Sequence, residues 1–423
     1  MKPLLDFFKK IEPSKENKIA HTAYDAFFTF AFAPNETTHS GTHIKDGMDL
    51  KRLMVHVVIA LQLCYVFGTW NIGHQHFLAL GEHTGLLDAL HLKIFYGLTK
   101  LLPLFIVANV VGLGIEFLYA AKRGHSVEEG YLVTGALIPL IMPPDLPLWI
   151  LAVAVVFAVI IGKEAFGGTG MNIWNIALLT RVFIFFAYPT TISGDEVWIS
   201  GIEKSVETGA YIASEYGFVL GLADSLFGAI GLSTFGSGGA SVIDGYTGAT
   251  PLALAYQGGW EAVTAQYSVG DMIWGVMPGS IGETSKVFVV LGMIFLMVTR
   301  VADWRIIISF IIGAALMGMT LNAWGATPFM DVPWYHQFTI GSLLFAAAFM
   351  ATDPVTAAST GAGKWIYGFM IGAVGIIIRV MNPAYPEGWM LAILFMNMFA
   401  PLIDHYVLEA NVSRRLRRVA AKA

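Results

Sequence analysis

The chain has 423 residues, of which 56% are hydrophobic and 13% charged, with a formal net charge of −5. Soluble domains carry roughly 25% charged residues, so this balance and a mean hydropathy of +0.65 exclude an ordinary soluble protein and point to an integral membrane protein. The basic residues sit at segment ends without forming a stripe, which excludes a nucleic-acid partner, and the single cysteine, Cys64, excludes an intrachain disulfide and a cysteine-ligated metal centre.

The first fifty residues are polar and lack a short apolar core followed by a small-residue cleavage site. No signal peptide is therefore expected, and 1–52 reads as a cytoplasmic segment. Apolar runs of spanning or near-spanning length, against a need for about 20 residues, fall near 53–70, 94–120, 130–142, 147–162, 173–190, 284–300, 305–321, 337–351, 366–381 and 389–408. They predict an all-α polytopic membrane protein of about ten transmembrane helices. Five lie in 53–190 and five in 284–408, separated by a long loop region at 191–283 and followed by a basic tail at 409–423.

Lysine and arginine set the orientation. They occur in the N-terminal segment, at Lys122, Arg123, Lys163, Arg300, Arg305 and Lys364, and in the tail, whereas the alternate connections contain only Lys204. Both termini are expected in the cytoplasm and the 191–283 region on the far side. Each half also holds a short apolar run ended by a proline break, Met142-Pro143-Pro144-Asp145-Leu146-Pro147 in one and Thr352-Asp353-Pro354 in the other. Matching interrupted helices are the mark of an inverted-repeat bundle, although prolines that merely end helices at the surface give the same pattern.

Within the long loop region, Asp244-Gly245-Tyr246-Thr247-Gly248-Ala249-Thr250 is a glycine-punctuated polar turn that leaves the hydroxyls of Thr247 and Thr250 with few bulky neighbours. It resembles the signature at which a flavin transferase attaches FMN to threonine. Five further segments carry the same likeness: Gly167-Gly168-Thr169-Gly170-Met171-Asn172, Pro278-Gly279-Ser280-Ile281-Gly282-Glu283, Ala351-Thr352-Asp353-Pro354-Val355, Arg379-Val380-Met381-Asn382-Pro383-Ala384-Tyr385-Pro386-Glu387-Gly388 and Pro401-Leu402-Ile403-Asp404-His405. Together they resemble the B subunits of sodium-translocating NADH:quinone reductases from about residue 45 to the C-terminus. The D subunits of Rnf-type ferredoxin:NAD oxidoreductases share several of these segments and stand second, because they normally lack the polar N-terminal segment. One departure is Ile176, where that family usually has proline.

The resemblance implies covalent FMN on Thr250, noncovalent riboflavin, ubiquinone as electron acceptor and Na+ export across a bacterial inner membrane, with the Thr250 loop periplasmic. It also implies a flavin transferase during maturation and further subunits of the complex, one of which binds NADH; no dinucleotide fingerprint occurs here. Asp244, Thr247, Gly248, Ser280, Gly282 and Glu283 are the remaining candidates around the FMN. Asp244 would aid the transferase or cap the turn, and Ser280 would hold the phosphate or cap the following helix. Gly168, Asn172 and Asn175 offer small and amide groups to a riboflavin ring, or form a helix-start loop.

Charges at membrane depth are costly enough to suggest function. Asp353, before a proline in a broken helix, offers hard oxygen ligands and is the first candidate for the Na+ route, with Asp404 and Glu164 beside it. The competing expectation pairs each with a bundle cation, Glu164 with neighbouring Lys163 at the surface. Arg181 and Arg379 would neutralise carboxylates or touch a flavin. His74, His76, His83 and His91 match no zinc spacing and are expected in a solvated loop. From a different class, a passive small-solute channel would also suit proline-broken helices.

Overall fold

The computed structural model describes residues 50–123, 130–192, 198–204, 211–213, 218–232, 248–382 and 388–420, with isolated positions elsewhere. Among them, six helices are long and apolar enough to cross a membrane: Arg52–Leu80, Leu90–Arg123, Leu148–Phe166, Trp304–Trp324, Gly361–Met381 and Trp389–Ala420. The chain is a multi-pass helical membrane protein. In chain order the first half gives α1 (Leu50–Leu80), α2 (Leu90–Arg123), α3 (Tyr131–Leu140), α4 (Leu148–Gly162) and α5 (Ile176–Ala187). A short antiparallel pair follows, β1 (Ile202–Lys204) with β2 (Tyr211–Ala213), in the register Ile202↔Ala213. Then come α6 (Phe218–Ala229), α7 (Pro251–Gln266), α8 (Val269–Trp274), α9 (Lys286–Val298) and α10 (Trp304–Trp324). Last are α11 (Leu343–Phe345), continued by a π turn at Ala346–Met350, then α12 (Gly361–Met381) and α13 (Trp389–Ala420).

Several expectations are corrected. The long region at 191–283 is no simple loop: it holds α6, α7, α8 and the β pair, a small addition to an otherwise helical protein. α1 runs ten residues past the apolar stretch ending at residue 70, because polar side chains there are buried among protein groups. His74 and His76 consequently lie inside α1 at 2% and 1% exposure, not in a solvated loop. His74 Nδ1 is 3.1 Å from Lys93 Nζ, and His76 Nδ1 is 2.8 Å from the Ser200 carbonyl oxygen. Residues 409–420 of the basic tail likewise continue α13, and these residues are exposed.

Four of the expected spans are short. At 1.5 Å per residue a ten-residue helix such as α3 reaches only ~15 Å, half a hydrocarbon core. α3 stops where Pro143 and Pro144 cannot supply N–H donors, and the π turn that continues α11 stops just before Thr352-Asp353-Pro354. The break after α3 is pinned by Asp145, whose carboxylate accepts from Lys100 Nζ at 2.7 Å, Ser200 Oγ at 2.9 Å and Gly201 N at 2.6 Å.

Close helix contact depends on small residues, since lipid offers no hydrophobic drive for one helix to leave it for another. On α12, a Cβ at Gly368 would lie 2.1 Å from Ser309 Oγ, and one at Gly372 would lie 2.1 Å from the Phe310 carbonyl oxygen. α10 and α12 are also joined at their starts. Asp303 caps α10 by accepting from Arg305 N at 2.9 Å, and accepts from Lys364 Nζ of α12 at 2.7 Å. Burial opposes the Asp303 charge, but the hydrogen bonds from Lys364 and Arg305 and their positive charges outweigh it and hold the carboxyl below its usual range. A depressed folded pKa contributes stability that is complete above the ordinary value of about 4 and is lost as pH falls through the lowered one. Asp303→Asn keeps the cap and removes the ion pair. It should cost up to about 1 kcal/mol at neutral pH, and its melting temperature should fall less steeply than the parent's between about pH 5 and pH 3. Equal slopes in detergent thermal scans would show that Asp303 contributes no linkage.

Candidate functional site

Two cavities gather six of the candidate residues. The first, about 460 Å³, is lined by Thr250, Ser280, Glu283, Thr284, Trp198 and Gly341 among others. Thr250 is the N-cap of α7: its Oγ1 accepts from Ala253 N at 3.2 Å, and Pro251 takes the first helical position, where its missing N–H is of no consequence. The segment entering it is held by Tyr267, whose hydroxyl donates to the Ala249 carbonyl at 2.9 Å. Gly248 turns the chain two residues earlier at φ +58°, a conformation that favours glycine. Asp244 and Thr247 lie outside the described residues.

The opposite wall is a loop whose shape depends on one buried arginine. Arg181 of α5, 1% exposed, donates through Nη1 to the Ile141 carbonyl at 2.6 Å, to Ser280 Oγ at 3.3 Å and to Glu283 Oε2 at 3.2 Å. A single guanidinium thus fastens the end of α3 to the loop before α9. Gly282 completes that junction: its N–H donates to the Leu140 carbonyl at 2.7 Å, and a Cβ there would lie 2.7 Å from Leu140 Cβ. Ser280 does not cap a helix. Ser285 does, five residues on, by accepting from Phe288 N. Arg379 belongs to the same neighbourhood. Its Nη1 donates to the carbonyls of Gln337 at 3.0 Å and Ile340 at 3.1 Å, and its Nη2 would lie 2.6 Å from a Cβ on Gly341.

The second cavity, about 740 Å³, is lined by Asn172, Asn175, Asp353, Lys163, Thr352 and Thr169, with an apolar remainder from α1, α3 and α9. Asn175 caps α5 through Oδ1, which accepts from Leu178 N at 3.2 Å, and donates through Nδ2 to Asp353 Oδ2 at 3.0 Å. Asp353 also accepts from Val355 N at 3.0 Å. Ile176 stands at the first position of α5, a place where the N–H has no intrahelical partner and proline is merely one suitable residue. Gly168 does not line the cavity but turns the chain beside Thr169 at φ +106°.

Glu164 and Asp404 lie off both cavity walls. Glu164 is 5% exposed, so the expected surface pair with Lys163 does not form; its Oε2 is 3.3 Å from Arg123 Nη1, while Lys163 forms a close buried pair with Glu116. Asp404 accepts from Ser359 N at 2.6 Å and from Thr360 N and Oγ1 at 3.0 and 2.5 Å, holding the start of α12. Among the described residues, no group of three His, Cys, Asp or Glu side chains gathers to hold a metal ion.

Both cavities set polar side chains into a largely apolar lining. The first fits a phosphoester in particular. A hydroxyl at a helix start lies beside N–H groups that favour an anion, with the Ser280 hydroxyl on the same cavity wall as Glu283. The second offers amide and hydroxyl groups, beside Lys163 and Asp353, in a largely apolar lining, a donor and acceptor set that suits a planar heteroaromatic ring.

A sequence profile of the NQR2, RnfD, RnfE family matches residues 37–413. The chain belongs to this family. A protein of Chromohalobacter salexigens, named as the B subunit of a Na(+)-translocating NADH-quinone reductase, is 40% identical over 420 residues, covering 95% of this chain and 92% of its own length. Proteins of the same name from Ectopseudomonas mendocina and Pseudomonas paraeruginosa are each 38% identical, with 94% and 93% of both chains covered. The NQR2, RnfD, RnfE match therefore takes in both cavities and every candidate residue. Trp198 and Gly341 are not legible in the sequence as lining residues, since each reaches its wall from a separate segment and carries no motif, whereas Thr284 directly follows Glu283. Lys163 and Thr352 stand directly beside residues singled out by their charge.

Proposed function

We propose that this chain is the membrane subunit of a redox-driven sodium pump, the B subunit of a sodium-translocating NADH:quinone reductase, with FMN esterified to Thr250. The observation that carries the reading is the placement of Thr250 at a helix start and in one cavity with Ser280 and Glu283. The names of relatives matched over more than nine-tenths of the chain favour it over an Rnf-type D subunit and over a passive channel. Bound flavins supply one- and two-electron chemistry that no side chain here has. The chain's own part is to fix position and charge. Thr250 tethers, the α7 start and the Ser280 hydroxyl offer donors to the phosphate, and Arg181 behind the wall holds Ser280 and Glu283 in place. In the second cavity, Asn172 and Asn175 present amides for a riboflavin ring.

Orientation follows from the lysine and arginine distribution, with both termini cytoplasmic, Thr250 periplasmic and the membrane a bacterial inner membrane. The polar N-terminal segment is the place for ubiquinone. The two halves read as inverted repeats because each short helix ends against the other half. The end of α3 meets the loop before α9, and the end of α11 meets the loop before α5 through Asn175 and Asp353. NADH binds on another subunit, and a flavin transferase loads Thr250. Mass analysis of the denatured native-host protein tests the central claim: the Thr250 peptide should carry an FMN-sized adduct, and an unmodified peptide from a host with active transferase refutes it.

For Na+, Asp353 is the carboxylate we place on the route, since it alone of the three candidates lines a cavity; Glu164 and Asp404 support it by holding Arg123 and the α12 start. Asp353→Asn should raise the Na+ concentration for half-maximal turnover by about tenfold, equivalent to ~1.4 kcal/mol of lost ion–carboxylate interaction. An unchanged Na+ dependence of quinone reduction would move the route elsewhere.

A further inference from the structure

Helix α6 is apolar on two faces. Leu220 and Ala223 are buried at 8% and 4%, and Phe227 packs edge-on to His91 and Phe95 at the start of α2, with ring centroids 5.3 and 5.4 Å apart. An adjoining face, a stripe at i, i+3, i+7 and i+11 that runs one residue past the helix end, consists of Val219, Leu222, Leu226 and Ile230 at 59, 53, 60 and 69% exposure. The only charged residue in the helix, Asp224, turns its carboxylate to the Phe235 N–H. A helix bathed in water shows a polar outer face, whereas one that is apolar all round lies in protein or lipid. The neighbouring α7 shows the contrast, with Gln257, Glu261, Thr264 and Gln266 exposed.

What covers the stripe is indicated by α2. Its outward residues Leu90, Ile94, Leu98, Leu102, Ile106 and Val110 are apolar and exposed at every fourth position, the lipid-facing surface of a membrane span. That surface begins at Leu90, level with the His91 and Phe95 rings on which α6 sits, and continues onto Leu86 and Leu87 at 55 and 79% exposure. At 12 residues α6 is ~18 Å long, too short to span but suited to lying at the boundary. We infer that α6 is an interfacial helix, immersed by its Val219–Ile230 stripe among the acyl chains of the leaflet that surrounds the α1–α2 turn. It serves as a lipid-anchored float that holds the α6–α7 region against the membrane.

The test uses the assembled complex in phosphatidylcholine–phosphatidylglycerol nanodiscs, with nitroxides at Leu226→Cys and Ile230→Cys. Leu98→Cys is the lipid reference and Gln257→Cys the water reference; Cys64 is buried, and the unsubstituted chain gives the background. Collision rates with oxygen and with a water-soluble nickel chelate are then compared by power saturation. Oxygen should dominate at both α6 positions, as at Leu98→Cys and opposite to Gln257→Cys. Nickel-dominated relaxation would mean a solvated face, and protection from both reagents would mean a protein partner on the stripe. Either result overturns the inference, and neither depends on the flavin chemistry.

Discussion

Arg181→Met is expected to destabilise the protein by about 3–5 kcal/mol, the cost of removing one member of a buried ion pair. The effect is large because three acceptors lose their donor together: the Ile141 carbonyl, Ser280 Oγ and Glu283 Oε2. Glu283, 4% exposed, would remain in the bundle without its guanidinium. The end of α3 and the loop before α9 should then separate, and the Thr250 cavity should lose its far wall. Pairing the change with Glu283→Leu removes the stranded carboxylate and should recover most of the melting temperature, since well-packed apolar residues replace a buried pair at little cost. Flavin content would not return with it. A double variant no more stable than Arg181→Met alone would place the loss in packing rather than in charge.

Thr250→Ala should abolish covalent flavin and reduce Na+-dependent quinone reduction to background, because no other hydroxyl occupies the α7 cap. Alanine also removes the acceptor for Ala253 N, which costs about 1 kcal/mol of helix-start stability. Thr250→Ser separates the two effects. It keeps both cap and hydroxyl, so flavin fluorescence in a denaturing gel and a substantial share of activity should survive. An adduct that persists in the alanine variant would assign the ester to a different residue.

Membrane character, the approximate order of helices and the two clusters of candidate residues are readable along the chain, because hydropathy and short polar motifs are local properties. Tertiary partners are not readable. His74 and His76 resemble loop residues since their neighbours Asn71, Gln75 and His83 are polar, yet burial against Lys93 and Ser200 keeps them helical. Chain adjacency pairs Glu164 with Lys163, although α2 supplies Arg123 to one and Glu116 to the other across more than forty residues. Ser280 reads as a cap because glycines flank it, but the cap is decided by where the backbone first closes an i to i+4 bond, at Ser285. Asp353 is legible from its charge and following proline; its companion Asn175 is legible only as an amide near glycines, and their contact spans 178 positions.

The π turn at Ala346–Met350, closed by Ala351 N to the Ala346 carbonyl at 2.8 Å, amounts to one extra residue wound into the helix. Each α-helical residue turns the chain by about 100° and advances it ~1.5 Å. Without that residue Thr352 and Asp353 would face a different quadrant of the bundle, away from Asn175, with their chemistry unchanged. The aim of the carboxylate is thus a matter of winding number, and a single alanine in 346–348 sets it as firmly as the identity of Asp353 itself.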